Sequence, residues 1–249
     1  MAEVSTDMLN LVTLAAQELG NEVLFVGIGV PSLAAITAKR THAPDATLIY
    51  ESGAIDAVPP APPLSTGSPC VLENTFMATS CLGVFSLLQQ GYFDIGMLSA
   101  AQVDRQGNLN STVLGPYDRP KVRLVGSGGA HDIAVLAKKL LIMMPHDPRR
   151  FVEKVDFITS PGLGARGGEG NMYDRRGQGP YCVITPRARF SFEAGELTLD
   201  GVIDGYTEAD ALEGFAWEVP RAANVKKFTP PSEALQKEAS RIIALDPAG

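Results

Sequence analysis

The chain has 249 residues, 45% of them hydrophobic, enough to bury the core of a single large α/β domain spanning residues 1–249. Its formal charge of −7 argues against nucleic acid as a partner, because phosphate binding needs a net basic face. No apolar run approaches the roughly 20 residues that cross a bilayer, and Met1–Met8, with Glu3 and Asp7, lacks the basic-then-apolar layout of a signal peptide.

Met8 to Leu19 spaces Leu9, Leu11, Val12, Ala15, Ala16 and Leu19 three and four apart, which predicts a helix. Gly20 and Asn21 break it, and Val23–Val26 follows as a continuous apolar run, the mark of a strand covered on both faces. Gly27–Ser32 turns the chain into a second helix over Leu33–Lys39, and Ala46–Tyr50 is the next strand, ending at Glu51. Strand, helix and strand in that order predict a right-handed crossover and a parallel sheet. A Pro-rich loop (Pro59–Pro63) leads to a helix over Val84–Gln90, a strand over Ile95–Ser99 and a turn at Asp104–Asn108. A short helix over Ala130–Leu136 and strands over Leu140–Met144 and Val155–Thr159 complete this half. Beyond Pro161, Gly162–Gly179 reads as a long polar loop, and such loops in compact domains tend to be functional or to contact a partner. Tyr181–Ile184, Phe190–Phe192 and Glu196–Leu199 predict antiparallel hairpins. Helices are expected from Thr207 through Phe215 and over Ser232–Ile243. The fold class is thus α/β, an open and mainly parallel sheet with helices on both faces and C-terminal antiparallel hairpins.

In such a sheet ligands bind outside the carboxyl ends of the strands, so the chemistry is sought in the loops that follow them. Gly27-Ile28-Gly29-Val30-Pro31 allows a close backbone approach with free amides, although an ordinary strand-to-helix turn explains a lone G-x-G equally well. Glu51, in Ile49-Tyr50-Glu51-Ser52-Gly53, is a carboxylate at the end of a buried strand; it is a candidate catalytic acid, a solvated loop acid or a salt-bridge partner. Asp56 is a possible second acid that the spacing does not place beside it. Gly126-Ser127-Gly128-Gly129-Ala130 offers successive amides ahead of a helix, or simply a tight turn; it lacks the Lys and Ser/Thr of a phosphate-binding P-loop.

His42, His131 and His146 lack metal-ligand spacing, so no metal is expected, and no G-x-S-x-G marks a serine nucleophile. The three cysteines read as reduced thiols, Cys70 and Cys81 as packed ones, which suits the cytoplasm. Arg166, Arg175 and Arg176 in the long loop are either solvated or a grip for the far carboxylate of a dicarboxylic acid.

Taken together, these segments resemble the β subunit of class I (family I) coenzyme A transferases, in particular the glutaconate type. The resemblance is carried by Val26–Pro31, His42–Ala46, Ile49–Gly53, Ala100–Asp104, Gly107–Thr112, Gly126–Ala130, Arg149–Phe151 and Thr159–Gly162, in that order and spacing. It implies that Glu51 is the nucleophile, in the Glu-Ser-Gly form of the glutaconate type rather than the Glu-Asn-Gly common for 3-oxo acids. It further implies that Gly27, Ile28 and Gly29 form an oxyanion loop and that Gln102 faces the acyl group. Gly128, Gly129 and Ala130 would line the thioester site and contact coenzyme A. The implied partner is an α subunit that completes the acyl pocket, in an α2β2 or higher hetero-oligomer, with coenzyme A as substrate and no other cofactor. A hydrolase or decarboxylase on the same fold is the alternative, one that the presence of the glutamate disfavours.

Overall fold

The computed structural model describes residues 4–163, 177–193, 195–228 and 231–246. Helix α1 (Thr6–Gln17) starts two residues before the predicted position because the Ser5 side chain accepts a 3.2 Å hydrogen bond from Met8 N–H. After β1 (Val23–Val26), α2 (Val30–Lys39) carries Pro31 in its first turn, where no N–H is needed. Then come β2 (Thr47–Ile49), β3 (Ala54–Ile55), a 3₁₀ turn (Pro69–Leu72) and β4 (Met77–Ala78). Helix α3 (Cys81–Gln89) is capped by Ser80, which accepts from Gly83 N–H at 3.1 Å, so it too starts earlier than predicted. Strand β5 (Ile95–Leu98) precedes two small hairpins, β6 (Gln102–Val103) with β7 (Leu109–Asn110), and β8 (Val113–Leu114) with β9 (Val122–Arg123). The rest is α4 (Ala130–Leu136), β10 (Lys139–Met143), β11 (Pro180–Ile184), β12 (Ala188–Glu193), β13 (Glu196–Ile203), α5 (Glu208–Leu212), β14 (Arg221–Phe228) and α6 (Glu233–Ile243).

Ten strands form one sheet in the order β14-β13-β12-β11-β10-β5-β1-β2-β3-β4. The central run β11-β10-β5-β1-β2 is parallel; β12 and β13 continue it antiparallel, as do β3 and β4 at the other edge. Alternate side chains of the central strands enter two separate cores. Leu24 and Val26 of β1, Met97 of β5 and Leu141 of β10 face α1, α2 and α6. Phe25, Leu98 and Ile142 face α3, α4 and α5. Both faces are covered, which is why these strands read as unbroken apolar runs. Each large side chain so buried stabilises the fold by about 1.5–3 kcal/mol.

Four expectations need correction. Val155–Thr159 is not a strand: both edges of β10 are already taken by β5 and β11, and only Ser160 makes an isolated bridge, to Leu109. The segment is folded instead around Asp156, whose carboxylate accepts from Gln102 Nε2 and Gly115 N–H. Helix α5 ends at Leu212, and Phe215 stacks instead on Phe151, with ring centroids 4.2 Å apart. Strand β14, unforeseen, runs parallel to β13; as a lysine-bearing, largely exposed edge it lacks the apolar alternation that would reveal it. Cys81 is exposed and Cys70 half-buried, so neither is a fully packed thiol. Most of the long polar loop, including Arg166, Arg175 and Arg176, lies outside the described residues. Among the described residues no helix is long and apolar enough to cross a membrane.

Candidate active site

Strand β1 lies between β2, reached through α2, and β5, reached by a connection to its other side; this is a topological switch point, where a crevice opens at the carboxyl ends. The loops after β1, β2 and β5 and the loop entering α4 all converge there. Gly27 leaves β1 against β5 so closely that a Cβ on it would lie 2.8 Å from the Met97 carbonyl oxygen. Gly29 caps α2 with φ of 76°, and a side chain there would meet open space. The N–H groups of Ile28 and Gly29 have no acceptor among the described residues.

Glu51 sits on a tight turn in which Gly53 N–H donates to the Tyr50 carbonyl and Tyr50 N–H to that of Ala54, each at 3.0 Å. The turn is anchored on three sides. The Tyr50 phenol, fully buried, shares a 2.7 Å hydrogen bond with Ser32 Oγ on α2, and burial pushes its pKa well above the ordinary tyrosine value. Ser52 Oγ donates to the Thr66 carbonyl. Gly53, at φ of 121°, accepts from Thr79 N–H at 2.8 Å, and any Cβ there would collide with the Thr79 carbonyl at 2.0 Å. The backbone is therefore held rigid while the half-buried Glu51 side chain takes no hydrogen-bond or ion-pair partner among the described residues. No described cation therefore claims this carboxylate. Asp56, by contrast, is bound to Lys39 Nζ at 2.7 Å and is no second acid at the site.

The glycine loop reaches Glu51 from 78 positions further along the chain. A Cβ on Gly129 would stand 3.1 Å from Glu51 Oε2 and 2.5 Å from Phe85 Cζ, so glycine alone fits between carboxylate and ring. Gly126 and Gly128 have φ of 94° and 47°, both left-handed, with open space where side chains would stand. Ala130 N–H closes the turn on the Ser127 carbonyl at 2.8 Å, while the amides of Gly128 and Gly129 have no acceptor among the described residues. Phe85 of α3, which the sequence reading missed, walls the site; its ring packs 5.6 Å from that of Phe25 on β1. Its only sequence signal was an aromatic within an apolar helix, which most often means core.

Gln102 lies in β6 with its amide engaged by the protein. Its Oε1 accepts from Asn110 Nδ2 at 2.7 Å and Asp156 N–H at 3.1 Å, and its Nε2 donates to Asp156 Oδ2 at 3.1 Å. These bonds tie β6 to β7 and to the segment around Asp156. No cluster of three or more His, Cys, Asp or Glu able to hold a metal occurs among the described residues. His42 instead bonds the Ala16 and Leu19 carbonyls at the end of α1.

Known proteins share both the sequence and the fold of this chain. Residues 11–172 match the profile of the Coenzyme A transferase family. The chain is 41% identical to one of the subunits of 3-oxoadipate CoA-transferase of Pseudomonas knackmussii, over 98% of its own length and 94% of the relative's. It is 33% identical to one of the subunits of glutaconate CoA-transferase of Acidaminococcus fermentans, over 89% and 87% of the two chains. The crystal structure of glutaconate coenzyme A-transferase from the same organism superposes with a TM-score of 0.86 at 30% identity, covering 99% of this chain and 96% of that one.

Proposed function

Because this chain belongs to the coenzyme A transferase family, we propose that it is the subunit carrying the nucleophile of an enzyme that moves CoA from an acyl-CoA to a dicarboxylic acid. The observation that carries this reading is the Glu51 carboxylate, without a partner among the described residues, on a rigid turn with the Gly129 backbone pressed against it. Glu51 attacks the thioester carbonyl, the C–S bond breaks, and CoA leaves as the thiolate with a mixed anhydride on the enzyme. The thiolate then attacks the glutamyl carbonyl, breaking its C–O bond; this releases the first acid and leaves CoA on Glu51 as a thioester. The incoming acid reverses both steps, so the kinetics are ping-pong.

A carboxylate is a weak nucleophile, and the reaction depends on orientation and on donors aimed at the developing oxyanion. The unused amides of Ile28, Gly29, Gly128 and Gly129 suit that task without adding a titrating group. The electron pairs balance without a metal or redox cofactor, and CoA enters as substrate. Relatives named for glutaconate and 3-oxoadipate, both dicarboxylic acids, support that acid class. Each of those relatives is one subunit of a larger enzyme, which supports an α subunit as partner in an α2β2 or larger assembly. The test is to incubate the co-expressed complex with acyl-CoA, reduce with borohydride or cleave with hydroxylamine, and map the mass change. A modification on Glu51 that disappears in Glu51→Ala is expected; transfer activity that survives Glu51→Ala would overturn the mechanism.

A further inference from the structure

A cavity of about 630 Å³ opens beside the catalytic crevice, between Ser99–Ala101 leaving β5 and Leu124–Val125 leading to the glycine loop, with Ser111, Arg123 and Arg150 completing its wall. It is mechanically joined to the site: the Ser111 carbonyl accepts from Gly126 N–H at 2.9 Å, and the Ser111 hydroxyl donates to the Gly126 carbonyl at 2.9 Å. Neighbouring strands stand about 4.8 Å apart, so the exit of β5 lies two strand positions, on the order of 10 Å, from the exit of β2 that bears Glu51.

Among the described residues, both arginines are held by neutral groups alone. Arg150 Nη1 donates to the Ala100 carbonyl at 2.8 Å, and its own carbonyl accepts from Val103 N–H at 2.8 Å. Arg123 lies over the Tyr117 ring, 5.0 Å from its centroid, with Nη2 3.3 Å from the Tyr117 carbonyl. Neither reaches a carboxylate within ion-pair distance among the described residues, whereas Arg105, Arg187 and Arg189 each do. A guanidinium has five donors in a fork that matches a carboxylate, and the described residues leave most of that fork unused in both. In a chain of net charge −7 two such cations on one cavity wall form a local anion site.

We propose that this cavity takes the distal carboxylate of the dicarboxylic acyl group, with Arg150 as its principal partner and Arg123 as the second. The inference rests on the transferase reading above. The competing source of an oxyanion is a phosphate of CoA, but the long pantetheine arm carries the phosphates far from the thioester carbon. The far carboxylate of a short diacid stays within a few bonds of it, which fits a cavity this near Glu51.

The experiment uses the complex co-expressed with its partner subunit, acetyl-CoA as donor, and glutarate or butyrate as acceptor. The wild type should prefer glutarate. Arg150→Ala should lower kcat/KM for glutarate by about tenfold to a hundredfold, the scale of a hydrogen bond to a charged group. It should leave butyrate within about twofold, with the loss carried mainly by KM. Arg150→Lys should recover part of the loss, and Arg123→Ala, at an exposed side chain, should shift the same ratio to a smaller extent. Equal losses for both acids, or a wild type indifferent to the second carboxylate, would overturn the proposal. So would variants in which CoA loses its advantage over 3′-dephospho-CoA, which would assign the site to a phosphate. A wild-type complex that forms no Glu51 adduct would sink the transferase reading itself, a result distinct from all of these.

Discussion

Replacing Gly129 by alanine tests the central geometric claim directly. The backbone there has φ of −84°, which any residue adopts, so the substitution adds one methyl group without backbone strain. That methyl would stand 2.5 Å from Phe85 Cζ and 3.1 Å from Glu51 Oε2. Carbon atoms in contact prefer about 3.5–4.0 Å, so ring or loop must give by about 1 Å. The ring is packed at 5.6 Å on Phe25, itself 5.0 Å from Phe93, which limits how far it can yield. The glycine loop therefore moves, and with it the amides beside Glu51. A misplacement of about 1 Å costs on the order of a hundredfold in rate, equivalent to about 2.7 kcal/mol of barrier. The accompanying loss of stability should be about 1–3 kcal/mol, as for other overpacked sites. The assay is CoA transfer and Glu51-adduct formation by the assembled complex, with urea unfolding alongside. Gly91→Ala is the control: φ of 84° strains the backbone, nothing crowds the new methyl, and the position is remote from Glu51. It should cost about 1–2 kcal/mol of stability with kcat unchanged. Wild-type adduct formation in Gly129→Ala would refute the placement of this loop against Glu51.

Three further outcomes follow from the packing and the charges. Tyr50→Phe strands the buried Ser32 hydroxyl and should destabilise by about 1–3 kcal/mol, while adding Ser32→Ala should restore most of that; a double variant no better than the single would sever the proposed link. Arg189 is held between Glu18 (2.8 Å) and Asp200, all three side chains being about one-fifth exposed or less. Arg189→Met removes the cation from between two carboxylates and should cost about 3 kcal/mol, read as a lower urea midpoint; an unchanged midpoint would count against it. His146 is held below the ordinary histidine pKa by burial and then by the Arg187 guanidinium, so the unfolded chain binds its proton more readily than the folded one. Its effect on stability is absent above the ordinary histidine pKa and becomes a loss as pH falls through that value toward the lower folded one. Between pH 8 and 5 the wild type should therefore lose more stability than His146→Asn, and parallel curves would show that His146 does not titrate in this way.

The unbroken apolar runs of β1 and β5 made the parallel sheet legible, and glycines and a carboxylate at strand ends drew attention to its carboxyl end. Capping residues one turn upstream, Ser5 and Ser80, were equally readable in principle and account for the misplaced helix starts. Val155–Thr159 was misread and Arg221–Phe228 passed over because strand identity there depends on a free neighbour: β10 had none left, while β13 had one to offer.

By itself, then, the sequence determined the class of fold, the two glycine loops and the strand-end position of Glu51, since periodicity and turn chemistry act within a few residues. The tertiary structure alone decided that Gly129 lies between Glu51 and Phe85, that Asp56 belongs to Lys39 and Gln102 to Asp156, and that Arg123 and Arg150 share a cavity. Each of those pairings joins positions brought together by strand order, and strand order is set by which long-range contacts bury the most surface rather than by any local pattern.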